Sequence, residues 1–156
     1  MLQDRPSLSP YDAEPIPEAA RAEIERLLMS GDLFRYTSDA SPVALLEQEF
    51  ADLLGSKYAL AVSSCSAALF LALKALDLPQ RANVLIPAFT FAAVPSAVVH
   101  AGLTPILIET ADNYRINMAD FETKLDLASA VLISHMRGHT SDMDAIMRLC
   151  DAAGVP

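Results

Sequence analysis

The sequence predicts an α/β fold, because short unbroken apolar runs alternate with segments whose apolar residues recur at helical spacing. Four of these runs are typical of parallel strands that are buried on both faces. They are residues 58–62, 84–86, 105–108 and 130–133. The segments between them are long enough for the crossover helices that parallel strands require. A chain of 156 residues can form one hydrophobic core, and this length excludes two large domains.

The first part of the chain is predicted to be an arm followed by a helix. Residues 1–17 hold four of the ten prolines and show no periodicity, which predicts an arm that packs against something else. Residues 17–29 carry an apolar stripe, and Gly31 is a typical helix stop. We therefore expect an arm and first helix over residues 1–40, followed by a larger domain over residues 41–156.

The other helices are predicted from caps and spacing. Ser41 and Pro42 form an N-cap and first-turn pair for a helix that ends at Gly55. Ser141 and Asp144 have the spacing of a capping box at the start of the last helix. With the crossover segments, the predicted helices after the first are residues 42–54, 66–76, 94–100, 118–127 and 142–153.

The last residues predict a further strand. Gly154 is a typical end for the last helix, and Val155 with Pro156 is typical of the beginning of another strand. That strand is not among the 156 residues, so we expect the chain to be the first part of a longer protein.

Charge and composition disfavour several classes of partner. The chain has 11 basic and 20 acidic residues, a net charge of −9 and a pI near 4.6, which repels nucleic acid and anionic membranes. Residues 82–108 carry no charged side chain, but prolines and a glycine divide them into short pieces that predict a buried core and not a membrane span. Cys65 and Cys150 lack the close companions of a disulfide framework or zinc site, and no signal peptide is recognisable, so we expect a cytoplasmic protein.

A serine-rich turn at residues 63–66 joins the first predicted strand to a helix. Free backbone N–H groups, hydroxyls and the positive end of the helix dipole at such a turn can bind a phosphate. Serines at helix starts also serve as simple caps, and the spacing alone leaves both interpretations open.

Two aromatic residues, Phe89 and Phe91, follow the second predicted strand. Ligands of α/β proteins bind outside the carboxyl ends of parallel strands, where a flat ring could stack on a heteroaromatic group. The alternative is that the rings belong to the core. The sequence favours the core for Phe89 and leaves Phe91 open.

Two histidines, His135 and His139, follow the fourth predicted strand with Arg137 between them. A metal site with Asp142 and Asp144 is disfavoured, because carboxylates at a helix start complement the helix dipole. No metal site is therefore expected. The histidine and the arginine either contact a ligand or satisfy loop carbonyls.

Taken in order, three segments resemble the sugar aminotransferases of fold type I, the DegT/StrS group of pyridoxal-phosphate enzymes. They are GSKYALAVSSCSAAL at residues 55–69, IPAFTF at residues 86–91 and SHMRGHTSDMDAI at residues 134–146. The resemblance covers residues 41–156 and implies the three-layer, aspartate aminotransferase-like large domain, incomplete in this chain. It also implies pyridoxal 5'-phosphate as the cofactor.

The resemblance implies roles for five residues. The family's phosphate-binding turn falls on Ser64, Cys65 and Ser66, its ring-stacking aromatic residue on Phe91, and its loop histidine on His135. Cysteine stands here where the family commonly has glycine, and Met-Arg follows the loop histidine where Leu-Tyr is usual. No catalytic residue is expected in this chain, because the family's Schiff-base lysine would come after residue 156.

The activity implied for the complete protein is transfer of an amino group from glutamate or glutamine to a keto-sugar that is linked to a nucleotide. The family also implies a homodimer whose active sites are shared across the interface. Two alternatives stay open: a non-catalytic, truncated module of the same fold, and a pyridoxal-phosphate-dependent sugar dehydratase with histidine in place of the lysine. This chain alone, without the lysine, is expected to be inactive.

Overall fold

The computed structural model of the chain describes residues 14–156. The predicted N-terminal arm falls mainly on residues 1–13, which lie outside the described residues. The chain divides into two compact units, one that ends at Ala61 and one that runs from Val62 to Pro156. The division at residue 40 that the sequence suggests stays a prediction.

The first unit contains helices α1 (Glu18–Ser30) and α2 (Pro42–Leu54), as the sequence predicts. Ser41 is fully buried and caps α2. Its hydroxyl accepts a hydrogen bond from the Ala44 N–H at 3.3 Å and donates one to the Arg35 carbonyl at 3.2 Å. The cap therefore also anchors the loop between the two helices.

The predicted strand over residues 58–62 is wrong, since this segment is irregular. Tyr58 is 78% exposed. The Ala61 N–H donates at 2.7 Å to the carboxylate of Glu47, which also pairs with the guanidinium of Arg35. An apolar run becomes a strand only when a neighbouring strand satisfies its backbone, and no such neighbour pairs with these residues in the described part of the chain.

The second unit consists of a parallel sheet with helices on both faces. Its strands are β1 (Asn83–Pro87), β2 (Thr104–Ile108) and β3 (Ala130–Val131). Its helices are α3 (Cys65–Ala75), α4 (Ala93–His100), α5 (Met118–Leu125) and α6 (Met143–Ala153). A 3₁₀ turn, Met136–Gly138, follows β3.

The sheet has the strand order β2-β1-β3. Val84 of β1 pairs with Pro105 on one side and with Ala130 on the other. The chain therefore passes from β1 to β2 on one side and then crosses back to β3 on the other side of β1. Such a reversal opens a crevice at the carboxyl ends of β1 and β3, which is where open α/β sheets bind their ligands.

Strand β1 is buried on both faces, and its side chains divide between two cores. Val84 and Ile86 belong to a cluster with residues of α3 and α4, such as Leu73 and Val98. On the other face, Leu85 packs in a second cluster with residues of α5 and α6, among them Phe121 and Ile146. The alternation along β1 makes the unit a three-layer α/β structure.

Strand β3 is shorter than the four predicted residues. Only Ala130 and Val131 are paired as a strand, although the Leu132 N–H still donates to the Leu85 carbonyl at 2.9 Å. On its far side, the Val131 N–H donates at 2.8 Å to the Pro156 carbonyl. This is the contact that a strand beginning beside β3 would make.

The predicted capping box of the last helix is wrong. Asp142 is the N-cap of α6, and its carboxylate accepts from the Ala145 N–H at 3.0 Å. Ser141 is buried instead, and its hydroxyl lies 3.3 Å from the Ile116 N–H, from which it accepts a hydrogen bond. The hydroxyl is therefore satisfied by a neighbouring loop, which sequence spacing does not show.

None of the helices between residues 14 and 156 is long and apolar enough to cross a membrane.

Candidate functional site

The loops that follow β1 and β3 meet at the crevice between these strands. Thr90 lies three residues after β1, and Ser134 lies three residues after β3. Their hydroxyl oxygens are 2.6 Å apart, so one donates a hydrogen bond to the other. This bond joins the two loops that carry the predicted site residues Phe91 and His135.

Helix α3 brings its N-terminus to the same crevice. Ser64 is the N-cap, and its hydroxyl accepts a hydrogen bond from the Ala67 N–H at 3.1 Å. The simple capping interpretation therefore describes the Ser64 side chain. The backbone N–H groups of Cys65 and Ser66 stand in the first turn, where a helix has no internal acceptor for them. They are available to an anion.

A cavity of about 250 Å³ connects these elements. It brings together four of the five predicted site residues: Cys65, Ser66, Phe91 and His135. The fifth, Ser64, is not among its lining residues. The remaining lining residues are Leu69, Thr90, Ala93, Val94, Ser134, Met136 and Arg137.

The two aromatic residues after β1 both lie at the surface. Phe91 is 67% exposed and borders the cavity, and Phe89 is 37% exposed. The core interpretation is wrong for both rings, because they lie beyond the end of β1, where the sheet no longer covers them. Phe89 instead packs against Tyr114, with ring centroids 5.4 Å apart.

A second cavity, of about 310 Å³, lies beside the first. It is lined by Phe89, Tyr114, Arg137 and His139. The rings of Tyr114 and His139 are 5.5 Å apart, so the aromatic contacts run from the loop after β1 to the loop after β3. Arg137 borders both cavities.

The acidic residues near the two histidines have structural roles. Asp142 caps α6, and Asp144 lies in its first turn. Among residues 14–156, no group of three or more His, Cys, Asp or Glu side chains could hold a metal ion.

No lysine among the described residues is part of the cavity lining. None of Lys57, Lys74 and Lys124, the three lysines of the sequence, lines it. The ammonium of Lys124 donates to the Asp120 carboxylate at 2.7 Å and to the Leu107 carbonyl at 2.8 Å. Hydrogen bonds from Lys124 and from the Glu109 N–H lower the pKa of Asp120. Lys124 therefore holds α5 to the end of β2.

The lining of the first cavity suits a flat ring that carries a phosphate. Backbone N–H groups and the Ser66 hydroxyl are donors for phosphate oxygens at a helix N-terminus. The exposed ring of Phe91 offers a flat apolar face, while Ser134 and His135 supply polar atoms. In the part of the chain that the structure describes, no carboxylate lines the cavity to repel the phosphate.

The fold is that of the pyridoxal-phosphate-dependent aminotransferases of fold type I, and the chain covers a fragment of that fold. The chain belongs to the DegT/DnrJ/EryC1/StrS aminotransferase family, whose model matches residues 16–156. Pyridoxal phosphate is the cofactor of this family. The resemblance noted in the sequence is confirmed, both for the family and for the fold.

Three similar proteins illustrate the match. The spore coat polysaccharide biosynthesis protein SpsC of Bacillus subtilis (strain 168) is 33% identical over 99% of this chain, which spans 39% of that relative. GDP-perosamine synthase of Vibrio cholerae is 32% identical over 70% of this chain, or 30% of that enzyme. The X-ray structure of the aminotransferase from Psychrobacter cryohalolentis superposes with a TM-score of 0.82 at 29% identity. That match covers 92% of this chain and 36% of the other.

Sequence reasoning missed part of the site. Thr90 and Ser134 stand inside the recognised segments, but nothing in their spacing shows that their hydroxyls meet. Tyr114 lies alone in a polar loop, so no pattern links it to Phe89 or His139. The sequence indicated only that the loops after β1 and β3 would lie near each other, because loops that follow parallel strands share one edge of the sheet.

Proposed function

We propose that the protein to which this chain belongs transfers an amino group from glutamate or glutamine to a keto-sugar that is linked to a nucleotide. The observation that carries the proposal is the 250 Å³ cavity, in which a helix N-terminus, an exposed aromatic ring and a histidine converge. The names of two relatives support the substrate class: GDP-perosamine synthase and a UDP-linked glucosamine 3-aminotransferase.

In this proposal, the N-terminus of α3 binds the cofactor phosphate. The N–H groups of Cys65 and Ser66 and the Ser66 hydroxyl donate to its oxygens, and the helix dipole favours its negative charge. Ser64 acts indirectly, because its hydroxyl holds the first turn in place by accepting from the Ala67 N–H.

The loops after β1 and β3 position the cofactor ring. Phe91 covers one face and excludes water from it, and His135 offers one ring nitrogen for a hydrogen bond beside it. The Thr90–Ser134 hydrogen bond keeps these two loops together. When bound, pyridoxal phosphate acts as an electron sink at the carbon that carries the amino group.

The proposed function also requires catalytic groups that these 156 residues do not supply. The chain spans about a third of the length of the relatives described above. We expect the lysine that holds the cofactor, and the carboxylate that pairs with its pyridine nitrogen, to come from outside these 156 residues. Residues 1–156 alone are then inactive.

The test uses the full-length protein loaded with pyridoxal phosphate. Addition of L-glutamate or L-glutamine should change the absorption spectrum of the bound cofactor in the absence of any acceptor. A nucleotide-linked keto-sugar added afterwards should gain an amino group, seen by mass spectrometry, and should restore the original spectrum. A spectrum that responds to neither donor rejects the transfer, and loss of water from the sugar instead would indicate a dehydratase.

A homodimer is also part of the proposal, since the family implies it. Analytical ultracentrifugation of the full-length protein should give twice the monomer mass. A monomer that retains full activity would remove the shared active site from the proposal.

A further inference from the structure

The second cavity is built around an arginine that none of the assigned roles uses. We name Phe89, Tyr114, Arg137 and His139, which line this 310 Å³ cavity, the Arg137 cluster. Arg137 is exposed and also borders the cofactor cavity. A group held by the Arg137 cluster would therefore lie next to whatever occupies the first cavity.

The cluster carries the positive charge of Arg137. No acidic residue among residues 14–156 lines the second cavity. Within residues 14–156, no carboxylate lies within 4.0 Å of the Arg137 guanidinium; Arg137 shares this with several other arginines, since only Arg26 and Arg35 pair with a glutamate there. Its place distinguishes Arg137, because among the described residues it is the arginine that lines both cavities.

The backbone places Arg137 at this position against its own preference. Its φ is +53°, in the left-handed region, and Tyr114 across the cavity has φ +63°. Such conformations cost free energy in residues other than glycine and persist where the surrounding structure imposes them. Two of the four residues of the cluster share this strain.

We propose that the Arg137 cluster is a subsite for the anionic part of a substrate, a carboxylate or a phosphate. The planar guanidinium can donate two parallel hydrogen bonds to the oxygens of either group. The aromatic rings of Phe89 and Tyr114 form an apolar wall for the uncharged part that adjoins the anion. This inference rests on the proposed function, because it assigns one substrate contact of the same reaction.

Two molecules of the proposed reaction carry an anionic group that the Arg137 cluster could bind. One such group is the carboxylate of the amino donor, and the other is the phosphate of the nucleotide that carries the sugar. Either group, when held by the Arg137 cluster, would lie beside the first cavity, which Arg137 also borders. The experiment therefore uses L-glutamate and inorganic pyrophosphate as separate probes.

The test is a calorimetric titration of each probe into the full-length protein with its cofactor bound in the aminated form, which has no carbonyl group left to react with the amino group of glutamate. The variant is Arg137→Gly, because glycine accepts φ +53° without strain and leaves the fold intact. Removal of a charge-assisted hydrogen-bond pair should weaken binding of one probe by about tenfold or more. Weaker glutamate binding identifies the donor carboxylate as the occupant, and weaker pyrophosphate binding identifies the nucleotide.

Two further variants make the result specific. Arg137→Lys keeps the charge but loses the forked geometry, so it should recover part of the affinity. Arg148→Gln, on the exposed side of α6 and outside both cavities, should bind both probes as the unmodified protein does. Cofactor absorbance is recorded for every variant to confirm that the cofactor is retained, and the unmodified protein is tested with L-glutamate and L-glutamine, because a spectrum that responds to neither donor marks failure of the proposed function and not of this inference. If Arg137→Gly retains cofactor and binds both probes as the unmodified protein does, the inference is overturned.

Discussion

The hydroxyl oxygens of Thr90 and Ser134 lie 2.6 Å apart, although 44 residues separate them in sequence. Each residue follows a different strand of the sheet, so their hydrogen bond closes the crevice between β1 and β3 at one point. The neighbours of these two residues, Phe91 and His135, border the proposed cofactor cavity. The positions of Phe91 and His135 in that cavity therefore depend on the hydrogen bond between Thr90 and Ser134.

A double-mutant cycle should measure this contact. Thr90→Val and Ser134→Ala each remove one hydroxyl, and the partly buried partner then loses its hydrogen bond. We expect a coupling free energy of about 0.5 to 1.5 kcal/mol for unfolding of the full-length protein. Chemical denaturation of the two single variants and the double variant gives this value. Additive effects would show that the two hydroxyls do not depend on each other.

Ser66→Ala should weaken binding of pyridoxal phosphate by about one order of magnitude or more, because a hydrogen bond to a charged group contributes about 1.5 to 3 kcal/mol. Equilibrium dialysis of the apoenzyme measures the affinity. The matched control is Ser64→Ala, which removes the N-cap of α3 and should lower the free energy of unfolding by about 1 kcal/mol. If Ser66→Ala and the unmodified protein bind the cofactor equally well, the Ser66 hydroxyl does not contact the phosphate.

Much of the local structure was predictable from the sequence. Helix α2 begins at the Ser41–Pro42 pair and ends at Gly55, as expected. These ends were predictable because a capping residue interacts with backbone groups only a few residues away in sequence. The irregular structure of residues 58–62 was not predictable, since an apolar run forms a strand only where a pairing partner exists elsewhere in the fold. The same distinction applies to the site: the α3 turn was recognisable, whereas the Thr90–Ser134 contact requires the packed sheet.

Phe91→Ala should lower activity and shift the visible absorbance of the cofactor while the protein remains folded. Stacking contributes about 0.5 to 1.5 kcal/mol beyond the burial of area, and a residue that is 67% exposed has little to lose in the core. Absorption spectra and thermal melts measure the two effects. The control is Phe121→Ala, which removes a fully buried ring and should destabilise the protein by about 3 to 5 kcal/mol. If Phe91→Ala unfolds as readily as Phe121→Ala, its ring has a structural role.

The two cysteines should differ in their response to an alkylating agent. Cys65 is exposed and lines the proposed cofactor cavity, so its thiol should be labelled in the apoenzyme and protected by bound pyridoxal phosphate. Cys150 is buried in the core beside α5, and burial, with a smaller effect of Asp151, raises the pKa of its thiol. A raised pKa leaves less of the reactive thiolate at a given pH, so Cys150 should be labelled slowly at neutral pH and faster as the pH rises. Mass mapping of the labelled peptides separates the two sites, and Cys150 serves as the internal control because it lies outside the cavity. Equal labelling of Cys65 with and without cofactor would place this thiol outside the phosphate-binding turn.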